Sequence, residues 1–192
     1  WTRYALPSVA GPLGLYYTRS EDGGATWNAP QTVSDKATLW SVVAGFGEST
    51  VQRVWQEGTS LGTTLWHEQS ADDGETWIRT APVSVLGEMV GNPSLTWDGA
   101  GRLHLLQVVS SGENRFVLQH WLWDGESWTG ERNLDLNFTN ETQVAVLFAD
   151  TSPNGNLGVV VSAILGSQAS GNLQHQIVFT NRYMEVPEIP IN

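Results

Sequence analysis

The octet Ser20-Glu-Asp-Gly-Gly-Ala-Thr-Trp27 returns fifty positions later as Ser70-Ala-Asp-Asp-Gly-Glu-Thr-Trp77. A shorter echo, Trp123-Asp-Gly-Glu-Ser-Trp128, ends fifty-one positions beyond Trp77. Recurrence at a long, nearly fixed period constrains a fold more than any single residue can: the chain is an array of similar units. The repeated residues are turn formers. A short Asp side chain accepts hydrogen bonds from nearby backbone N–H groups, and Gly supplies a position with φ > 0.

A period of about 40–50 residues is that of a propeller blade, four antiparallel strands A to D counted outward from an axis. The pattern S-x-D-x-G-x-T-W resembles the Asp-box, or BNR repeat, of sialidases and many other β-propellers. Two copies are complete (Ser20, Asp22, Gly24, Trp27 and Ser70, Asp72, Gly74, Trp77), and a third, with Asp124 and Trp128, is degenerate. There Trp123 stands in the place of the Asp and Asp124 follows one residue late, so that turn is expected to differ in length or hydrogen bonding. The resemblance implies that the boxes lie on the C–D turns, on the face opposite any active site. It also implies that Asp22, Asp72 and Asp124 shape turns rather than catalyse or bind metal. Trp27 and Trp77 are expected to begin the next strand and pack their rings over the hairpin.

The expected fold is therefore all-β, a β-propeller of four-stranded antiparallel blades. One propeller portion spans residues 1–192, with a partial first blade over 1–34 and further blades over 35–84, 85–134 and 135–192. In the second blade, strands fall near 37–45, 50–57, 63–69 and 77–83; Val51, Arg53 and Trp55 alternate with Gln52, Val54 and Gln56. In the third they fall near 94–98, 102–110, 115–123 and 128–134, with turn chemistry at Trp97-Asp-Gly-Ala-Gly101. Gly101-Arg-Leu-His-Leu matches Gly155-Asn-Leu-Gly-Val at an offset of fifty-four, which places fourth-blade strands near 143–150, 156–165 and 173–180, with a short last one near 184–186. Shifting by fifty maps Trp1-Thr-Arg-Tyr-Ala onto Val51-Gln-Arg-Val-Trp, a strand B, so the first blade lacks its innermost strand and about three and three-quarter blades are visible. The expectation is part of a larger propeller, completed by an upstream part of the same protein or by a partner chain. Closure as a four-bladed ring is the alternative.

Charge narrows the partners. The net charge is −11, Lys36 is the only lysine and there is no cysteine. An acidic surface without a basic patch repels phosphate backbones and anionic headgroups, which argues against nucleic acid and membrane-surface binding. The longest apolar run, Leu157 to Leu165, is too short to span a bilayer. Absent cysteine excludes disulfides and a Cys nucleophile. An extracytoplasmic setting in a bacterium is expected, and the sequons at Asn137 and Asn140 matter only in a eukaryotic secretory pathway.

Resemblance to sialidases implies an arginine cluster for a carboxylate, a Tyr/Glu nucleophile pair and an acid/base Asp. Arg3 and Arg53 occupy equivalent strand-B positions, which suits a repeated blade role. Arg102 belongs to the Asp-box end, and Arg182 and Tyr183 are expected after the last long strand. Ligands of a propeller are held by the B–C and D–A connections, which here carry Asp35, Lys36, Glu57, Glu88, Glu113, Arg115, Asp135 and Glu141. Glu57, Glu88, Glu113 and Arg115 are the ligand-binding candidates, with Glu113 and Arg115 close enough to form a pair that orients a sugar or peptide. His67, His104, His120 and His175 show no ligand spacing, and no metal site or cofactor is expected. The favoured function is a non-catalytic binding or scaffold propeller with a carbohydrate or protein ligand. The alternatives are the C-terminal part of a sialidase-like glycoside hydrolase and an assembly subunit.

Overall fold

A computed structural model describes residues 2–4, 12–36, 38, 40–57, 64–112, 115–136, 138, 143–152, 154–165 and 174–183. Among these residues every regular element is a strand, every strand pairing is antiparallel, and none is helical. The chain divides into two compact units, Trp1–Ser84 and Val85–Asn192, each with two sheets.

In the amino-terminal unit, β1 (Thr2–Tyr4), β2 (Pro12–Tyr17) and β3 (Gln31–Ser34) form a meander, ordered as expected for strands B, C and D. The second sheet is β4 (Ser41–Phe46), β5 (Thr50–Glu57), β6 (Thr64–Ser70) and a split outer strand, β7 (Ile78–Arg79) and β8 (Val83–Ser84). A single strand over 77–83 was expected. It breaks because Pro82 has no N–H to give the ladder and Thr80 turns its hydroxyl to His67. Trp55, Val54 and Leu65 are fully buried. Arg53 lies over the Trp77 ring at 3.8 Å and the Tyr17 ring at 5.4 Å while its Nε donates to Glu68 at 2.8 Å. Stacking plus an ion pair is how a half-buried guanidinium stays satisfied.

In the carboxy-terminal unit, β9 (Glu88–Met89) and β10 (Ser94–Trp97) both pair with β11 (Leu103–Ser110), which pairs with β12 (Phe116–Trp123) and then β13 (Trp128–Leu136). β13 runs two residues past the expected end at 134. The inner strand gains β9, so Glu88 sits in a strand opposite Ser110 rather than in a connection. The last sheet is β14 (Gln143–Thr151), β15 (Asn156–Leu165) and β16 (Gln174–Tyr183). Arg182 and Tyr183 therefore end β16 instead of following it: Leu157 and Asn156 of β15 stand opposite them and extend the ladder. The expected last strand near 184–186 lies outside the described residues.

These two sheets share one core. Leu106, Val108, Phe116, Leu118 and Leu136 pack against Leu147, Ala149, Leu157, Val159, Val161 and Ala163. The inner strands are tied as well: Ala149 N donates to Ser94 Oγ at 3.0 Å, and the Thr151 hydroxyl donates to the Trp97 carbonyl. β11 and β12 read as near-continuous apolar runs because nearly all of their side chains are buried, on both faces of the sheet.

Candidate functional site

Antiparallel connectivity gives each sheet two ends. One carries the A–B and C–D turns, including both octets. The other carries the B–C and D–A connections.

At the turn end the octets close on themselves in the same way. Asp22 Oδ1 accepts from Thr26 N at 2.8 Å and Oδ2 from Thr26 Oγ1 at 2.7 Å; Ser20 Oγ donates to Asp22 and accepts from Gly24 N at 2.7 Å. Asp72 repeats this with Thr76 N at 2.9 Å and Thr76 Oγ1 at 2.5 Å, and Ser70 Oγ accepts from Gly74 N at 2.8 Å. The backbone and side-chain bonds from Thr26, then Ser20, hold the Asp22 carboxyl down to about 2. Those from the Thr76 side chain and backbone, then Ser70, do the same to Asp72. Both carboxylates are thus used up by their own turns. At the third turn Trp123 pairs directly with Trp128, and Asp124 Oδ1 accepts from Glu126 N and Ser127 N at 2.8 Å, a tighter loop than the octets.

The two tryptophans diverge. Trp77 meets Tyr17 edge to face at 5.2 Å and donates its indole N–H to the Gly74 carbonyl at 3.1 Å. Neither tryptophan begins a strand, since β7 starts at Ile78 and β3 only at Gln31, and Trp27 is 63% exposed. The aromatic shelf under Trp77 comes from Tyr17 and Arg53.

At the opposite end of the amino-terminal unit, Glu57 ends β5 beside the segment that follows β3. Ser34 Oγ donates to Glu57 Oε1 at 2.5 Å and Lys36 Nζ donates to Oε2 at 3.0 Å. The Glu57 side chain is 8% exposed and that of Lys36 66%. Burial alone would raise the Glu57 carboxyl, but the Ser34 hydroxyl and the Lys36 ammonium outweigh it and hold it below its ordinary range. The indole N–H of Trp55 also pulls in that direction, although it does not reach hydrogen-bond geometry and stays buried without a partner. Half-buried Trp40 joins this end, its carbonyl accepting from Gln56 N at 2.9 Å.

At the corresponding end of the carboxy-terminal unit, Arg115 grips Asp135, with Nε and Nη2 on Oδ1 at 3.0 and 2.8 Å and Nη2 on Oδ2 at 2.8 Å. Asp135 is thus the partner the structure gives Arg115; Glu113, expected in that role, lies outside the described residues, as does Glu141. Register explains the choice, since Val117, two residues past Arg115, stands opposite Asp135 across the ladder. Both side chains are more than half exposed, so the pair contributes little to stability. Glu88 and Asp35 are exposed.

Sequence reasoning missed one cluster. His104 and His120 stack at 5.1 Å with Nδ1 and Nε2 2.9 Å apart, and His104 Nε2 lies 3.2 Å from Asp98 Oδ2, which Arg102 Nε also reaches at 2.7 Å. All three acid and imidazole groups are buried. The Trp97-Asp-Gly-Ala-Gly101 turn folds Asp98 back beside β11, and the β11–β12 register sets His120 opposite Leu106 and His104 opposite Leu122. The string borders a cleft of about 210 Å³ between the third and fourth sheets, with Arg132, Asn133 and Thr180 on its wall. Among the described residues no group of three His, Cys, Asp or Glu converges on a metal position.

No family model and no curated protein matches the sequence. Solved structures do. An α-L-arabinanase from Penicillium chrysogenum complexed with arabinobiose matches with a TM-score of 0.63 and 18% identity, over 94% of this chain and 58% of its own. An α-L-arabinofuranosidase from Fusarium graminearum gives 0.64 and 18%, over 92% and 57%. The NanB sialidase of Streptococcus pneumoniae gives 0.54 and 16%, over 79% and 24%. The chain thus spans a little over half the length of the first two. Likeness at this identity shows the fold alone, and that fold is an all-β, sialidase-like propeller of antiparallel sheets.

Proposed function

We propose that the chain is a propeller portion that binds carbohydrate without cleaving it, through the end that carries Lys36, Trp40 and Glu57. The state of Glu57 carries this reading. A carboxylate held below its ordinary range by a hydroxyl and an ammonium is ionised at neutral pH, so it accepts hydrogen bonds from sugar hydroxyls but makes a poor general acid. Lys36 is exposed and fixed beside it, and half-buried Trp40, whose backbone joins this end, would supply the ring for the apolar face of a pyranose or furanose. Arg115 and Asp135 offer a second polar pair at the matching end of their own sheet. An acidic, lysine-poor composition supports an exported or surface location.

Calorimetric titration with arabino-oligosaccharides and with sialylated glycans tests it. Binding to one class should weaken about tenfold or more in Lys36→Ala and Glu57→Gln, since each removes one charge-assisted hydrogen bond. Affinity unchanged in both variants, with the fold intact by circular dichroism, would remove this site. The second reading, a portion of a glycoside hydrolase, is supported by the activities named for the three matched proteins. It predicts release of nitrophenol from aryl arabinofuranosides or sialosides, and such turnover would overturn the non-catalytic reading.

A further inference from the structure

Most of the arginines in this acidic chain are engaged. Among the described residues Arg19, Arg53, Arg79, Arg102 and Arg115 each hold a carboxylate, whereas Arg132 has none within ion-pair distance. With a net charge of −11 there is no shortage of carboxylates, so an arginine left without one is available to an outside anion.

A local irregularity decides which way Arg132 points. Along the β12–β13 ladder Trp121 stands opposite Gly130, and the register then shifts so that His120 stands opposite Arg132. Glu131 is thus the extra residue of a β-bulge, a device that re-aims the side chains beyond it. Residues directly opposite in an antiparallel ladder share a face. The bulge therefore sets Arg132 and Leu134 on the face that carries Leu106, Leu118 and His120, the one packed on the fourth sheet. Without the extra residue Arg132 would point the other way.

The two sheets do not close completely over that face, and the cleft of about 210 Å³ remains. Its floor is apolar and buried, made by Leu106, Leu118, Leu157 and Val159. Its mouth carries exposed Arg132 and Leu134 and half-buried Thr180, which stands opposite Val159. His120 lines it too, buried and held in place by His104, which is held in turn by Asp98. An apolar floor with a few convergent, preorganised polar groups is the usual make-up of a ligand site. The volume falls below the about 300–1,000 Å³ of drug-sized sites, so the ligand is small.

We propose that this cleft binds a small organic monocarboxylate, its head on Arg132 and the Thr180 hydroxyl and its hydrocarbon body on Leu118, Leu157 and Val159. A guanidinium presents parallel N–H groups that match the two oxygens of a carboxylate. One arginine suits a single negative charge; a phosphate dianion in so acidic a chain calls for more cations than the cleft holds. The floor adds affinity only when the head carries a body of several carbons. The proposal shares no residue with the end that carries Lys36, Trp40 and Glu57, so each reading can fail without the other.

The test follows the isotope-labelled Leu and Val methyl signals of the full 192-residue chain by NMR while hexanoate or benzoate is added. Saturable shifts should appear at Leu118, Leu157 and Val159. Arg132→Gln should weaken binding about tenfold or more while leaving the rest of the spectrum that of the parent, which also reports an intact fold. Arg132→Lys should fall between the two, since an ammonium keeps the charge and loses the fork. Hexanol lacks the charge and acetate lacks the body, and each should bind at least about tenfold more weakly than hexanoate. Absence of saturable shifts at these three residues would overturn the proposal, as would equal affinity in the parent and Arg132→Gln. Acetate binding as tightly as hexanoate would reduce the site to a bare anion contact and overturn it as well.

Discussion

Gly24 and Gly74 hold the same place in the two octets, both with positive φ, at 94° and 82°. A Cβ at Gly24 meets nothing, whereas one at Gly74 runs into the Tyr17 hydroxyl and the Trp77 ring. Gly24→Ala should therefore cost about 1 kcal/mol, from the left-handed backbone alone. Gly74→Ala should cost roughly 2 kcal/mol more, because overpacking is added to strain. Chemical denaturation of the two variants decides it, and equal losses would show that the Tyr17 contact yields freely. The octet pattern made the turn and its Ser, Asp and Thr bonds legible, since those contacts are local. It could not distinguish Trp77 from Trp27, because a ring's partner comes from another strand: Tyr17 and Arg53 belong to β2 and β5. The octet carboxylates also have a pH signature. Asp72 sits near 2 against an ordinary value near 3.8, so its stabilisation is complete above about 4 and is lost as pH falls towards 2. Asp72→Asn should be less stable than the parent at pH 7, with the gap closing at the acid end. A gap that stays constant down to pH about 2 would place the stabilisation elsewhere than in the ionised carboxylate.

His67 joins three strands of the second sheet. It lies on β6, with one ring nitrogen 2.6 Å from Gln52 Oε1 on β5 and the other 2.6 Å from Thr80 Oγ1, just past β7. Burial pushes it down to about 4 from 6.5, so between those values the unfolded chain takes up a proton that the folded chain refuses. Stability should fall as pH falls through this window, by at most about 3 kcal/mol. Urea melts at neutral pH and near pH 4.5 should show the loss in the parent and a flatter response in His67→Gln; parallel responses would clear His67 of the effect. Strands B and C were the legible elements, with β5 and β15 falling at the expected bounds, because their turns and alternation are both strong. Outer and inner strands were harder. The β7–β8 break depends on where Pro82 falls against the β6 ladder, and β9 pairs across a gap that no local signal marks. The Asp98, His104, His120 string was hidden for the same reason, since spacing along the chain says nothing until two strands are aligned.

Across the whole molecule, twenty acidic residues face nine basic ones. Several of the described cations are committed to specific carboxylates: Arg19 to Glu21 and Glu75, Arg53 and Arg79 to Glu68, Arg102 to Asp98 and Arg115 to Asp135. The surplus negative charge repels itself, so raising salt from low ionic strength to about 0.15 M should raise the melting temperature. A fall would mean that the ion pairs outweigh the repulsion. At this scale the sequence was most informative about repeat number and least about the ligand end, where Glu57 could be placed but its grip by Ser34 and Lys36 could not. One further consequence lies in how the strands are joined. Among the described residues, almost every pairing within each unit links strands adjacent in the chain. Such wiring asks for little loop-closure entropy before contacts begin to reward the chain. Each sheet can therefore zip from its own hairpins as it leaves the ribosome, and synthesis order becomes folding order.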